Sequence, residues 1–324
     1  MTQKNGLIHA FVLDGQGGGR QIGWDELRTW KPGDGALWAH LDRTARASQK
    51  WLQSQAHLDP LVCEAMLQEE TRPRSLPIND GLLVILRGVN LNPGADPEDM
   101  VSIRMWIDAE RVISLRRQRV IAADDLRKQL VVGTGPINPG NFLVRIADRL
   151  MDRMGAVIAD IEEQADDLEE RVVTAQSHEL RSALADLRRQ AIGLRRYIGP
   201  QRDVMSRLQT EQVSWLTPSL RAQLREIADR VMRYAEDLDA VREHAAVTHE
   251  ELVSRLSEQM NRNVYVLSLV ASVFLPLGLL TGLLGINVGG IPGAEFRWAF
   301  AIVCAILGVL ATIQIILFRR MRWF

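Results

Sequence analysis

Between Asn263 and Ala294 the chain runs for 32 residues without a charged side chain. Within and just beyond that run, Val264 to Gly285 supplies 22 residues and Trp298 to Phe318 supplies 21. At ~1.5 Å rise per residue, either helix covers a hydrocarbon core of ~30 Å. The first stretch holds thirteen Val, Leu or Phe residues. Each favours insertion by roughly 0.3–0.6 kcal/mol near the bilayer centre, which outweighs the proline, glycines and serines among them. Two membrane-crossing helices are therefore expected at the C-terminal end. Arg255 and Arg262 precede the first, Arg319, Arg320 and Arg322 follow the second, and the connecting segment has only Arg297, opposed by Glu295. Basic residues stay on the cytoplasmic side. Both termini are thus expected in the cytoplasm, with residues 286–297 as a short outer loop.

The rest of the chain has a different chemistry. Over the whole chain 39 Lys+Arg and 40 Asp+Glu residues nearly cancel, and almost all precede residue 263. That balance argues against a dedicated nucleic-acid binder. The two cysteines, Cys63 and Cys304, do not make a disulfide framework. The opening MTQKNGLIHAFVLDG is too polar for a secretory segment, so the N-terminal part is expected to remain cytoplasmic.

Residues 1–135 read as a cytoplasmic α/β domain. Leu7–Leu13, Ala36–Leu41, Leu82–Val89 and Val101–Leu115 have strand-like patterning, the last turning at Asp108-Ala109-Glu110, with helices near Ala47–Gln55 and Pro60–Glu69. DGQGGGR near residue 14 lacks a following helix signature and reads as a flexible turn, not a phosphate loop. GTGPINPG at 133–140 marks a boundary.

From Asn141 the period becomes helical. Residues 141–215 predict an antiparallel helical hairpin with its tip near Gln176-Ser177. One apolar stripe runs through Leu143, Ile146, Leu150, Val157, Ile161, Leu168 and Val172, the other through Leu180, Leu184, Leu187, Ala191, Leu194 and Ile198. Acidic residues crowd the first helix and arginines the second, so the faces either pair across the hairpin or remain separately solvated. Thr217-Pro218 is a helix start. The seam Leu220, Leu224, Ile227, Val231, Tyr234, Leu238, Val241, Ala245, Thr248, Leu252 then alternates steps of four and three. No glycine or proline interrupts it before Pro276. One helix is expected from Pro218 to Gly285, with residues 217–263 as a stalk, and about 100 Å long at the usual rise.

Carried into the first span (264–285), the same rhythm selects Val264, Ser268, Ala271, Leu275, Gly278, Gly282 and Gly285. Most are small, while the intervening positions are leucine-rich. Such a stripe either lets helices approach closely or leaves room along a symmetry axis for a partly hydrated ion. Asn287, just past the last glycine, favours the second: repeated around an axis, its amide would present a collar of oxygens without a trapping charge. Two spans cannot enclose a pore, so a channel requires several copies.

Pro276, Gly282 and the terminal Gly285-Ile286-Asn287 resemble the first membrane helix of the CorA superfamily of divalent-cation transporters, whose signature is Gly-Met-Asn. Isoleucine in place of methionine resembles the zinc-transporter branch, ZntB. RRMRWF at the C-terminus and residues 57–86 with their Arg-Pro also resemble that family, as does the order of elements. The resemblance implies an α+β membrane protein built as a funnel-shaped homopentamer in a bacterial inner membrane: cytoplasmic domain, hairpin, stalk, two spans (264–285 and 298–318) and a basic tail (319–324). It implies a filter at Gly285, Ile286 and Asn287, a pore lined by Val264, Ser268, Ala271, Leu275, Gly278 and Gly282 with Leu275 as an apolar gate, and a basic ring of Arg319, Arg320 and Arg322. Many magnesium transporters follow the signature with Met-Pro-Glu. Here VGGIPGAEF places the acid at Glu295, which fits the zinc branch.

Ligand chemistry does not by itself select the metal. Zinc prefers sulfur and imidazole, yet no Cys-x-x-Cys or His-Glu-x-x-His occurs, and amide oxygens suit hydrated hard cations. On the stalk Asp237, His244 and Glu251 recur every seven residues and either form cation-attracting rings in a funnel or a solvated face. His249 with Glu250, and His57 with Cys63, are looser pairs. No permanently bound cofactor is expected. The ion carried would be Zn2+, with proton coupling as the zinc branch implies, and the partners would be further copies of the chain, lipid and divalent metal ions. A magnesium or broad divalent channel and a membrane-anchored coiled-coil scaffold or sensor are the rival readings. No nucleophile, base and orienter assemble into an enzyme site.

Overall fold

The computed structural model describes residues 6–174, 178–285, 293 and 296–320. It divides into two units, residues 1–250 and 251–324. The first contains seven strands: β1 Leu7–Leu13, β2 Gly19–Ile22, β3 Leu37–Asp42, β4 Arg74–Ile78, β5 Gly81–Gly88, β6 Val101–Ile107 and β7 Arg111–Arg116. They form one sheet in the order β2-β1-β3-β7-β6-β5-β4. All neighbours are antiparallel except β3 and β7, which pair in parallel from Leu37↔Arg111 to Asp42↔Arg116.

Alternation along the strands sends side chains to two covered faces. Leu37, Ala39 and Leu41 of β3 pack with Trp51, Leu52, Val62 and Met66 from α2 (Arg46–Ser54) and α3 (Pro60–Leu67), and with Leu27 of α1 (Trp24–Thr29). The Asp59 carboxylate caps α3 by accepting from Leu61 N at 2.8 Å, with Pro60 in the first turn. The opposite face meets α5 (Pro139–Thr174) and α6 (His178–Leu208), and α4 (Ile121–Val131) packs against α5. There Trp38 lies 4.8 Å, ring centre to ring centre, from Phe142.

That second face holds a buried imidazole pair. His9 and His40 stack at 4.9 Å beside Trp38. Ser114 Oγ accepts from Trp38 Nε1 at 2.9 Å and lies 2.8 Å from His40 Nδ1, while Nε2 of both histidines has no partner. Burial lowers the His9 pKa to about 3, with Arg116 and Arg127 adding to the depression and Asp124 opposing it. His40 is likewise held far below its ordinary range by burial, then by His9 and Arg116. Both rings are therefore neutral core residues.

Between β1 and β2, Asp14 Oδ1 accepts from Gln16 N at 2.7 Å and Gly18 N at 2.9 Å, and Gly15 and Gly17 take positive φ. DGQGGGR is thus a side-chain-closed turn. β2, α1, β4 and α4 are additions to the elements expected from the sequence. The hairpin stripes are buried as expected except that Ile158, not the half-buried Val157, is the inward residue. The hairpin tip lies outside the described residues.

α7 is a single helix, Pro218–Leu284. Its seam is buried from Leu220 to Leu252 apart from half-buried Tyr234, and Thr248 Oγ1 donates to the His244 carbonyl at 2.9 Å. That back-bond satisfies the hydroxyl while its methyl packs. In the second unit the C-terminal part of α7 is followed by α8, Ala299–Arg320. Both helices are long and apolar enough to cross a membrane.

Candidate ion pathway and cation site

From Leu269 onward α7 has a half-buried face, made by Leu269, Ser272, Val273, Pro276, Leu277 and Leu280. On α8 the half-buried residues are Ala299, Val303, Leu307, Leu310, Ala311, Gln314 and Phe318. Both sets recur at three- and four-residue steps, which places each on one side of its helix. Val264, Ser268, Ala271, Leu275, Gly278, Gly282 and Gly285 are instead all exposed. A Cβ built on Gly278 or Gly282 would meet no atom within 4 Å. The glycines therefore do not serve contact with α8, and the stripe is free for water or for another copy. Leu275 stands 70% exposed on that stripe.

Pro276 removes an N–H donor from this part of α7. Nearby hydroxyls are held by the backbone: Thr281 Oγ1 donates to the carbonyls of Leu277 and Gly278 at 3.0 and 3.1 Å, and Ser272 Oγ donates to Leu269 O at 3.0 Å. Ser268 has no such bond among the described contacts, so its exposed hydroxyl is the one on the stripe able to contact an ion's water. Arg319 and Arg320 close α8, where cations favour the negative end of the helix dipole. Ile286, Asn287, Glu295 and Arg322 lie outside the described residues. Gln314, half-buried on α8 with Oε1 unpartnered, was not singled out from the sequence, although it is the lone amide in that span.

In the first unit α5 and α7 run parallel. Arg230 of α7 binds Asp152 at 2.7 Å and also Asp148, and farther along His244 meets Asp166 and Glu169. His244 Nε2 lies 2.6 Å from Glu169 Oε2, and Nδ1 lies 3.8 Å from Asp166 Oδ1. One ligand atom from each of the three falls within 4.8 Å of the others. One imidazole nitrogen with two carboxylate oxygens is a donor set that suits a divalent ion retaining water. Without one, the Glu169 carboxylate holds the ring by a hydrogen bond to Nε2, with Asp166 close by at Nδ1.

Negative charge gathers just before this trio. Burial, then Asp237 and Asp166, raise the Glu162 carboxyl, while burial and Glu236 raise Asp237, opposed by Arg233. Of the stalk candidates, His244 is thus joined to α5, Asp237 faces Glu162, and Glu251 pairs with Arg255 at 2.7 Å. Asp166 and Glu169 stand three apart on α5, but only the parallel register of helices 75 residues apart in sequence brings them to His244. Cys63 is buried, its thiol donating to Leu52 O at 3.4 Å and raised in pKa by burial and Asp59, so it is not an available ligand.

Comparison with known proteins places this geometry in a family. The family described as CorA-like Mg2+ transporter protein matches residues 33–320. The divalent cation transporter CmaX of Pseudomonas aeruginosa is 42% identical over 99% of this chain and 97% of its own. The zinc transport protein ZntB of Pectobacterium carotovorum is 40% identical over the same shares. The structure of full-length CmaX superposes with a TM-score of 0.86 over 99% of both chains. The CorA magnesium transporter of Methanocaldococcus jannaschii shares the fold at 17% identity, with a TM-score of 0.81 over 98% of this chain and 99% of its own. With α/β unit, long helix and two apolar C-terminal helices all matched, the chain belongs to the CorA-like Mg2+ transporter family.

Proposed function

We propose that this protein carries divalent metal cations across a bacterial inner membrane, with zinc as its main substrate and both termini in the cytoplasm. The observation that carries the reading is the exposed small-residue stripe from Ser268 to Gly285, set off the half-buried side of α7. Several copies arranged around that stripe, five by family resemblance, would enclose a water-filled path. Gly285, Ile286 and Asn287 would filter at one end, and Leu275 would be the apolar constriction. The names and close identity of CmaX and ZntB support divalent-cation transport and make zinc the first metal to test.

Neither apolar stretch, 264–285 or 298–318, contains Asp, Glu or His. A proton relay through the membrane normally needs such a group. Proton coupling would thus act through the cytoplasmic trio, the outer loop or the ion's own water. Asp166, Glu169 and His244 are the residues we assign to cation capture on the cytoplasmic side. Radiozinc uptake into proteoliposomes with separately imposed pH and voltage gradients tests the reading. Zinc flux that rises with an inward proton gradient supports coupled uptake; flux that follows voltage alone favours a broad divalent channel; absence of flux under both refutes transport.

A further inference from the structure

Apart from the ion pathway, the first unit has a cavity of about 540 Å³ with an unusual charge. Six arginines line it: Arg43, Arg72, Arg87, Arg104, Arg117 and Arg196, against two acids, Glu69 and Glu70. They arrive from the end of β3, the α3–β4 connection, β5, β6, the segment after β7, and α6. Among the described residues none of the six lies within ion-pairing distance of a carboxylate.

Three of them are tied to neutral acceptors. Arg43 donates to Leu67 O at 2.9 Å, Arg87 to Met100 O at 2.7 Å and Thr71 O at 2.8 Å, and Arg104 to Met66 O at 2.8 Å and Glu69 O at 3.1 Å. Those bonds fix the α3–β4 connection, but carbonyls do not cancel a guanidinium's charge. Arg104 is only 3% exposed and Arg43 only 7%. Burial lowers the Arg104 pKa to about 10, with Arg43, Arg87 and Arg74 adding repulsion. Burial without a counter-ion is costly.

A purely structural role leaves two facts unexplained. Arg72, Arg117 and Arg196 are exposed at the cavity and have no hydrogen-bond acceptor among the described contacts. The Thr71 hydroxyl, on a residue 7% exposed, and the Nε atoms of Arg43 and Arg87 are buried with no partner. Arg87 is also stacked 4.1 Å above the Tyr197 ring, which fixes its guanidinium plane. Planar guanidiniums, in excess over the two acids and none of them paired with a carboxylate among the described residues, match the oxygens of a phosphoryl group.

We propose that this cavity binds a small anion carrying more than one phosphate, of nucleotide size. Its volume falls within the ~300–1,000 Å³ of small-molecule sites and leaves space beyond a phosphate. The inference does not depend on which ion the protein transports.

The test is calorimetric titration of the purified full-length protein in detergent, in chelator-treated buffer at constant ionic strength. The probes are ATP, pyrophosphate, adenosine and citrate. ATP or pyrophosphate should bind saturably, one per chain, while adenosine should not bind and citrate should bind at least about tenfold more weakly. ATP tighter than pyrophosphate assigns a nucleotide, and equal affinities assign the polyphosphate group alone; either supports the site. The R72E/R117E double variant should weaken binding by about tenfold or more while leaving the melting temperature unchanged, because neither side chain braces the fold. Failure of both phosphate probes to saturate, citrate binding as tightly as they do, or an affinity unmoved by that double variant would overturn the proposal.

Discussion

The neutral His9–His40 pair makes a quantitative prediction about acid sensitivity. In the unfolded chain both imidazoles titrate near 6.5, whereas His9 in the fold titrates near 3 and His40 well below its ordinary value. Below pH ~6.5 the unfolded state therefore takes up protons that the native state refuses, and each such histidine lowers stability by about 1.4 kcal/mol per pH unit. The contribution is fully present above 6.5 and is lost as pH falls toward 3. Going from about pH 7.5 to about pH 5.5, the two together should cost about 3 kcal/mol, a large part of a total stability of roughly 5–15 kcal/mol. Every other titrating group is shared with the H9N/H40Q variant, so comparison with that variant isolates the share of the two imidazoles. The assay is hydrogen exchange of the β1 and β3 amides in the full-length protein at both pH values, corrected for intrinsic rates. The wild type should lose about 3 kcal/mol more protection than the variant over that interval. Parallel losses in the two proteins would refute the assignment of both rings as neutral core groups.

Other outcomes bear on transport. Asn287→Ala should leave expression unchanged and broaden cation selection in proteoliposomes; retained zinc preference would remove Asn287 from the filter. In a background with Cys304 replaced, cysteines at Ser268, Gly278 and Gly282 should react with water-soluble thiol reagents, while a cysteine at Leu277, on the half-buried side of α7, should not. The reverse pattern would end the case for a water-lined stripe. His244→Ala removes the nitrogen donor of the Asp166, Glu169 and His244 trio and should weaken zinc retention at that trio by about tenfold or more. An unchanged zinc titration would show that these side chains only brace α5 against α7.

Long, strongly patterned elements could be read directly from the residues. The β1 limits coincide with the run LIHAFVL, and the four-three seam of α7 matches its buried positions from Leu220 to Leu252 apart from Tyr234. Elements missed were those whose pattern tertiary context overrides. β2 is only four residues, GRQI, and half polar; β4, RSLPI, contains Pro77, tolerated because β4 is the sheet's edge strand. α4 is separated from β7 by four residues, and two of its four buried residues are alanines, Ala122 and Ala123, which give weak hydrophobic contrast. For the site, the small-residue stripe was legible because one helix carries all of it. The assembly of His244 with Asp166 and Glu169 was not, since it depends on how two separate helices are set side by side.

The single parallel pairing, β3 against β7, divides the sheet into β2-β1-β3 on one side and β7-β6-β5-β4 on the other. The β4-β5-β6-β7 half is a meander of sequential neighbours, and in the other half β1 pairs with β2 as a hairpin and with β3 across only β2 and α1. Their junction instead unites segments on either side of almost the whole intervening domain, so its loop-closure cost is the largest in the sheet. That junction is the natural last step of folding and the first place for the sheet to part. Ser114, bonded to Trp38 and His40 directly across it, clasps the two halves together.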